Sequence, residues 1–263
     1  MKNSIFILLF LFSIYGSAQS IKISINPVDS LVINADTYIG NDAYDYHYFI
    51  KNNVFFKKNN QEIWQYKNVS FGKIAKVDIH NPLKIILYYE NFNTVVALDN
   101  QLNEVEKINF SAITPQLMVS AIGLSGNNNF WVFNDLNQQL GLYNFVNNTY
   151  VTRGLPFTKS IKNYHSDFNF FYWIDADNRF YSCDVFGKTA FLVTVPDYDS
   201  VSITNEKTLL FSKNDQLFYL DVFLNKILLI KNIEKSMKSY SLTDQKLVIF
   251  TTNGIIKYQI NLP

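Results

Sequence analysis

The sequence predicts an all-β chain: a six-bladed β-propeller with four-stranded blades, closed by the N-terminal strand. Three observations predict it. Apolar pairs three residues apart recur at a period near ~40, the length of a four-stranded blade. Each pair follows an apolar strand and an Asn- or Asp-rich turn, the pattern of a hairpin. No stretch carries a capped 3.6-residue apolar periodicity, and residues 232–238 could form one helical turn at most. Composition agrees. The 23 Phe and 17 Tyr suit pleated surfaces, and with only 9 Gly and 6 Pro most turns must be built from Asn and Asp.

The clearest unit runs from Phe170 to Val193. It reads Phe170–Ile174, a turn at Asp175-Ala176-Asp177-Asn178, a second strand at Arg179–Asp184, and a third at Thr189–Val193. Its second strand carries the pair Phe180/Cys183. The same pair recurs as Ile63/Tyr66, Val95/Leu98, Leu140/Tyr143, Leu217/Leu220 and Ile255/Tyr258. The strands before these pairs are Val54–Phe56, Ile85–Tyr89, Trp131–Phe133, Leu209–Phe211 and Leu247–Phe250. A further short strand is expected ahead of each unit, at Tyr44–Ile50, Lys76–Ile79, Leu117–Ile122, Ser160–Tyr164, Val201–Thr204 and Ser239–Leu242. Outer strands follow at Val105–Phe110, Thr149–Thr152, Thr189–Val195 and Ile227–Ile230.

The last unit stops short, since only Asn261, Leu262 and Pro263 follow Ile260. Ile21-Lys22-Ile23-Ser24-Ile25 alternates with period two and is expected to complete that sheet beside Ile255–Ile260. Pairing the two chain ends would seal an otherwise open edge.

Residues 1–20 read as an export signal. Lys2 supplies the positive start, Ile5–Phe12 an apolar run too short to span a bilayer, and Ser17-Ala18-Gln19 a small-residue cleavage pattern. The expected division is therefore a removed segment, 1–20, and one domain, 21–263. The expected location is therefore the periplasm, or the periphery of the outer membrane. No later run is long and apolar enough for a transmembrane helix. The formal net charge is +1, and removing Lys2 leaves 22 basic against 22 acidic residues. That balance argues against a nucleic-acid footprint, and Lys57-Lys58 reads as a solvated turn. The lone cysteine, Cys183, excludes an internal disulfide framework, so stability must come from the core.

Phe171-Tyr172-Trp173-Ile174-Asp175, followed by Phe180, Asp184 and Gly187, resembles the repeat of YWTD-type six-bladed propellers. The family's Thr is Ile174 here, and its Gly after the second strand survives as Gly187. The resemblance implies binding through loop faces without catalysis. In overall character the chain, exported, cysteine-poor and rich in Asn, Lys, Ile and Phe, also resembles accessory proteins of Gram-negative envelope machines. One of these is the periplasmic plug-like subunit of the type IX secretion translocon. This resemblance implies an envelope partner such as an outer-membrane β-barrel translocon.

Candidate chemistry is sparse. His47, His80 and His165 lie far apart in sequence without metal-like spacing; each is expected in or beside the first strand of a different unit. If those strands line one channel, the three could converge. Asp175–Asn178 lacks the Gly and distant Glu of a calcium loop and reads as a hairpin turn. Cys183 reads as a buried, inert thiol. Asp197/Asp199, a spacing open to glycoside chemistry, reads as a loop between blades. No metal and no cofactor is expected. Tyr44, Tyr46 and Tyr48 alternate and would share one face of a strand, either as core or as an aromatic stripe for a partner; they are the candidate partner-binding residues.

The expected function is non-catalytic: a module that binds another envelope protein, as an accessory or plug subunit of an outer-membrane secretion translocon. Two rivals stand beside it. One is a hydrolase or lyase acting on glycans or peptides in the central channel. The other is a sensor with a small ligand there, which a deep pocket of converging polar groups would favour.

Overall fold

The structure is a computed structural model that describes residues 22–243 and 245–262. The expected export segment, 1–20, and Ile21 lie outside the described residues. The chain begins with β1 (Lys22–Leu31). A first four-stranded sheet follows: β2 (Thr37–Asn41), β3 (His47–Lys51), β4 (Val54–Lys58) and β5 (Ile63–Tyr66). The second holds β6 (Lys76–Asp78), β7 (Ile85–Tyr89), β8 (Thr94–Leu98) and β9 (Glu104–Asn109); a single 3-10 turn, Glu90–Phe92, joins β7 to β8. The third holds β10 (Val119–Ser125), β11 (Asn129–Asn134), β12 (Gln139–Asn144) and β13 (Thr149–Arg153). The fourth holds β14 (Ile161–Ser166), β15 (Phe170–Asp175), β16 (Arg179–Asp184) and β17 (Thr189–Thr194). The last strands are β18 (Ser200–Asn205), β19 (Thr208–Lys213), β20 (Gln216–Asp221), β21 (Lys226–Lys231), β22 (Met237–Thr243), β23 (Lys246–Thr251) and β24 (Ile255–Ile260).

The expectation of six separate blades is corrected here. Four four-stranded sheets stand as separate blades, while β18–β24 and β1 form one eight-stranded sheet, in the order β18-β19-β20-β21-β1-β24-β23-β22. The fusion is the work of β1. Its first residues run parallel to β21, with Ile23 opposite Ile230. It then runs antiparallel to β24, from Ile25 opposite Ile260 to Leu31 opposite Ile255, with a bulge between Pro27 and Asp29. The N-terminal strand therefore does pair with Ile255–Ile260, but through 25–31 rather than 21–25. The physical reason is that β21 and β24 each leave an edge unpaired, and one ten-residue strand reaches both.

The sheets form a closed ring with a propeller arrangement. β6, β10 and β14 meet at Gly123, where a Cβ would lie 1.8 Å from the Ser166 Oγ and 3.4 Å from the Asp78 Oδ2. β14 lies against β18, and β18 against β22. Tyr38 of β2 stacks on Phe250 of β23, with ring centroids 6.0 Å apart, and returns the ring to its start. Apolar clusters fill each junction. One joins Phe55 and Tyr48 to Leu87 and Val96; another packs Trp131 and Phe133 against Phe171 and Trp173. Ile23 and Ile25 of β1 complete a cluster with Leu217, Tyr219, Leu247 and Ile249. Among the described residues no helix is long and apolar enough to cross a membrane.

The first sheet departs from the sequence expectation. Its innermost strand is Thr37–Asn41; the expected first strand, Tyr44–Ile50, is a turn followed by the second strand, and the Ile63/Tyr66 pair lies on the fourth. Lys57 is no solvated turn residue. It is buried within β4, with its Nζ donating to the Asn100 carbonyl at 2.7 Å and lying 4.4 Å from the centre of the Tyr46 ring.

Candidate functional site

The six innermost strands, β2, β6, β10, β14, β18 and β22, surround a channel. At one end is a cavity of about 540 Å³ lined by Tyr38, His80, His165 and the polar residues of β18 and β22: Ser202, Thr204, Asn205, Ser239, Ser241 and Thr243. Strand alternation points every second side chain of these strands inward, so five hydroxyls share one wall.

Two of the three histidines converge there. The His80 and His165 rings lie 5.3 Å apart, centre to centre. Asp78, at the end of β6 and buried, accepts from the His80 backbone amide at 2.9 Å and holds its Nδ1 at 2.8 Å; its second oxygen accepts from the Leu124 amide at 2.7 Å. Burial alone would push the Asp78 carboxyl up, but the His80 hydrogen bond and charge and the two amides outweigh it and hold the group below the usual carboxylate range. The bond to Asp78 in turn lifts His80 above the ordinary imidazole value, against the opposing effect of burial. His165 goes the other way. Burial and the charges of His80 and Lys76 push it down to about 4, so at neutral pH it is an uncharged imidazole. Lys76 lies deeper, its Nζ 4.7 Å from the centre of the Tyr164 ring, and burial lowers its pKa. Two imidazoles side by side, one shifted up and one shifted down, can donate and accept protons on one bound molecule.

His47 does not join them. It opens β3, the second strand of its sheet, and is buried with its Nδ1 2.9 Å from the Tyr38 hydroxyl and its Nε2 3.7 Å from Asp45. Beside it Lys257 of β24 reaches Asp45 at 3.4 Å and Asp29 of β1 at 3.5 Å, so this group fastens the first sheet to the closing one. Among the described residues no three His, Cys, Asp or Glu side chains are grouped to hold a metal ion.

The three tyrosines part company. Tyr44 is 76% exposed in a turn, Tyr46 is half-buried and donates to Glu62 at 2.7 Å, and Tyr48 is fully buried with its hydroxyl on Asp42 at 2.7 Å. Only Tyr48 lies within a strand, so they make no single stripe. Asp175 accepts the amides of Asp177 and Arg179, both at 2.9 Å, as a turn residue does. Asp197 accepts from Asn178 at 3.1 Å and Asp199 from the Asn214 amide at 2.8 Å, so both brace connections. Cys183 is buried, and burial raises its thiol.

One feature went unread in the sequence. Neighbouring strands within a sheet are antiparallel, so the turns joining first to second and third to fourth strands share one face, the face where His80 and His165 open. On it the third-to-fourth turns of three consecutive sets expose Val146, Phe186 and Phe223, at 63%, 89% and 88%. Each follows an Asn or Asp by two positions: Asn144, Asp184 and Asp221. Those side chains accept turn amides from Val146, Phe186 and Leu224 at 3.1, 2.9 and 2.8 Å, which fixes each turn with its apolar residue outward. The repeated Asp-Val-Phe at 184–186 and 221–223 was the available signal. The opposite face also exposes Val69, Leu136 and Leu155, but without a shared turn pattern.

No protein-family model matches the chain, and no curated protein matches it by sequence. Solved structures do. Virginiamycin B lyase from Staphylococcus aureus matches with a TM-score of 0.60 and 11% identity over 94% of this chain and 97% of that one. The β-propeller domain of Cps50 (Swd1) from Myceliophteria thermophila matches with a TM-score of 0.56 and 9% identity, over 90% and 100%. PorZ, a surface component of the type-IX secretion system of Porphyromonas gingivalis, matches with a TM-score of 0.49 and 10% identity over 91% of this chain and 39% of that one. At these identities the likeness is one of fold: the chain is a β-propeller.

Proposed function

We propose that the protein is an exported, non-catalytic binding propeller that docks another protein of the cell envelope through the face carrying Val146, Phe186 and Phe223. In this reading the ring is six-fold, with the eight-stranded sheet serving as two blades sewn together by β1. The observation that carries the docking is the repeated apolar turn tip. A monomer gains nothing by holding two phenylalanines almost wholly in water at equivalent positions, whereas an interface core is built from such side chains. The leader-like residues 1–20 support export and a periplasmic or outer-membrane setting. An accessory or plug role on an outer-membrane secretion translocon fits the same reading. The test is recovery of a partner from envelope extracts with tagged protein, in parallel with a Phe186→Ser/Phe223→Ser variant. A partner held by the wild type and lost by the variant supports the proposal; equal recovery, or a lone monomer in both, contradicts it.

A second reading has its own observation. His80 and His165 are close enough to act as an acid–base pair on a molecule in the channel, the arrangement a hydrolase or lyase needs. Turnover of a glycan or peptide substrate abolished by His165→Ala would favour it over the binding module.

A further inference from the structure

The cavity at the channel mouth holds polar groups without partners. Asp78 fixes one side of the His80 ring and leaves Nε2 free, and the His80 side chain is 37% exposed. Among the described residues nothing hydrogen-bonds the His165 ring, and the buried Thr204 hydroxyl has no partner. Buried or half-buried polar groups of this kind cost free energy until something bonds them. The volume, about 540 Å³, lies in the range of small-molecule sites.

The charges indicate what fits. Lys76, whose Nζ lies against Tyr164 deeper in the channel, and His80 are the basic groups near the one carboxylate of Asp78, whose oxygens are already committed to His80 and Leu124. Asp167, the next carboxylate near His80, is committed too: it accepts the Asn169 and Phe170 amides at 2.8 Å and the Tyr172 hydroxyl at 3.1 Å. The described residues lining the cavity include no Asp or Glu. Hydroxyls and ring nitrogens that can donate therefore face the space, while the nearby carboxylates are used up behind it.

We propose that the channel mouth binds a small molecule through an oxyanion group, carboxylate or phosphate, taken by His80 and His165 with the hydroxyls of β18 and β22 around it. The site does not depend on the docking surface. A variant that loses the anion but still recovers its partner separates the two.

The test follows the imidazole resonances of His80 and His165 by NMR in the intact folded protein during titration with glucuronate, inorganic phosphate and glucose. Saturable shifts with glucuronate, phosphate or both, and none with glucose, are expected; which anion responds identifies the source of the oxyanion. His80→Gln should weaken the response at least ~10-fold, and Lys76→Met should weaken it as well. His80 is partly exposed, so its substitution should leave the fold intact; should it not, Lys76→Met carries the comparison. No response to either anion, an equal response to glucose, or an unchanged affinity in a folded variant overturns the proposal.

Discussion

His165 is neutral because its surroundings are positive and dry, and that has a consequence for stability. Its pKa falls from an ordinary 6.5 to about 4, so between those values the unfolded chain takes up a proton that the folded one refuses. Unfolding free energy should therefore drop as pH falls from about 6.5 toward about 4. His80, shifted upward, acts in the opposite sense and above 6.5: its contribution is complete below that value and is lost as pH rises through its raised pKa, so it does not mask the fall. The full His165 shift corresponds to about 3 kcal/mol; with the ring partly exposed, roughly 2 kcal/mol is expected. Denaturation across this range should show the fall, and His165→Gln should flatten it; an unchanged slope in the variant contradicts the assignment. Cys183, buried and with a raised thiol, should stay unreactive toward thiol reagents until the protein unfolds, and fast labelling of the native chain would contradict its placement. At this scale the sequence was partly legible. Local turn roles such as that of Asp175 need only neighbours within the same hairpin. The meeting of Asp78, His80 and His165 depends on the ring closing, which no local pattern encodes.

At the scale of elements, β1 is decisive. Ile23 and Ile25 are 5% and 1% exposed within the cluster between β18–β21 and β22–β24. Ile25→Ala should cost about 3 kcal/mol, measured by denaturant unfolding, since it empties a site between two sets of strands. Gly254 guards the other end of the same strand. Its φ is +142°, and a Cβ there would lie 2.2 Å from the Leu31 carbonyl oxygen and 2.8 Å from the Ile33 amide, both backbone atoms that cannot move aside cheaply. Gly254→Ala should destabilise by about 3 kcal/mol or more. A loss below about 0.5 kcal/mol for either would mean β1 does not close the ring. Strand periodicity made most elements readable, and the pairing of the chain ends followed from the missing last strand. The first sheet was misread because Lys58 stands where the second apolar member of the pair belongs on its third strand, after the buried Phe55, so Ile63/Tyr66 stood in for it. The giveaway was a spacing of 32 where the true counterparts, Phe55 and Val95, lie 40 apart. Thr37–Asn41, with its Gly and Asn, carried too little apolar signal to be seen as a strand.

Over the whole molecule, the ring holds two kinds of surface on one face: a polar mouth and a crest of apolar turns. The crest should be dispensable for folding. Phe186→Ser/Phe223→Ser should move the unfolding midpoint little, because both side chains already lie in water, while removing partner capture. The propeller itself was legible from the period, but the crest was not, since an exposed Phe in a turn has meaning only once equivalent turns are seen side by side. The docking claim is tested most directly by crosslinking in living cells. A photo-reactive residue would be placed in turn at Phe186, at Phe223 and, on the opposite face, at Leu136. A discrete adduct to one envelope protein from the first two positions and none from Leu136 is the predicted result. Adducts from Leu136 alone, or none from either phenylalanine position, would contradict it.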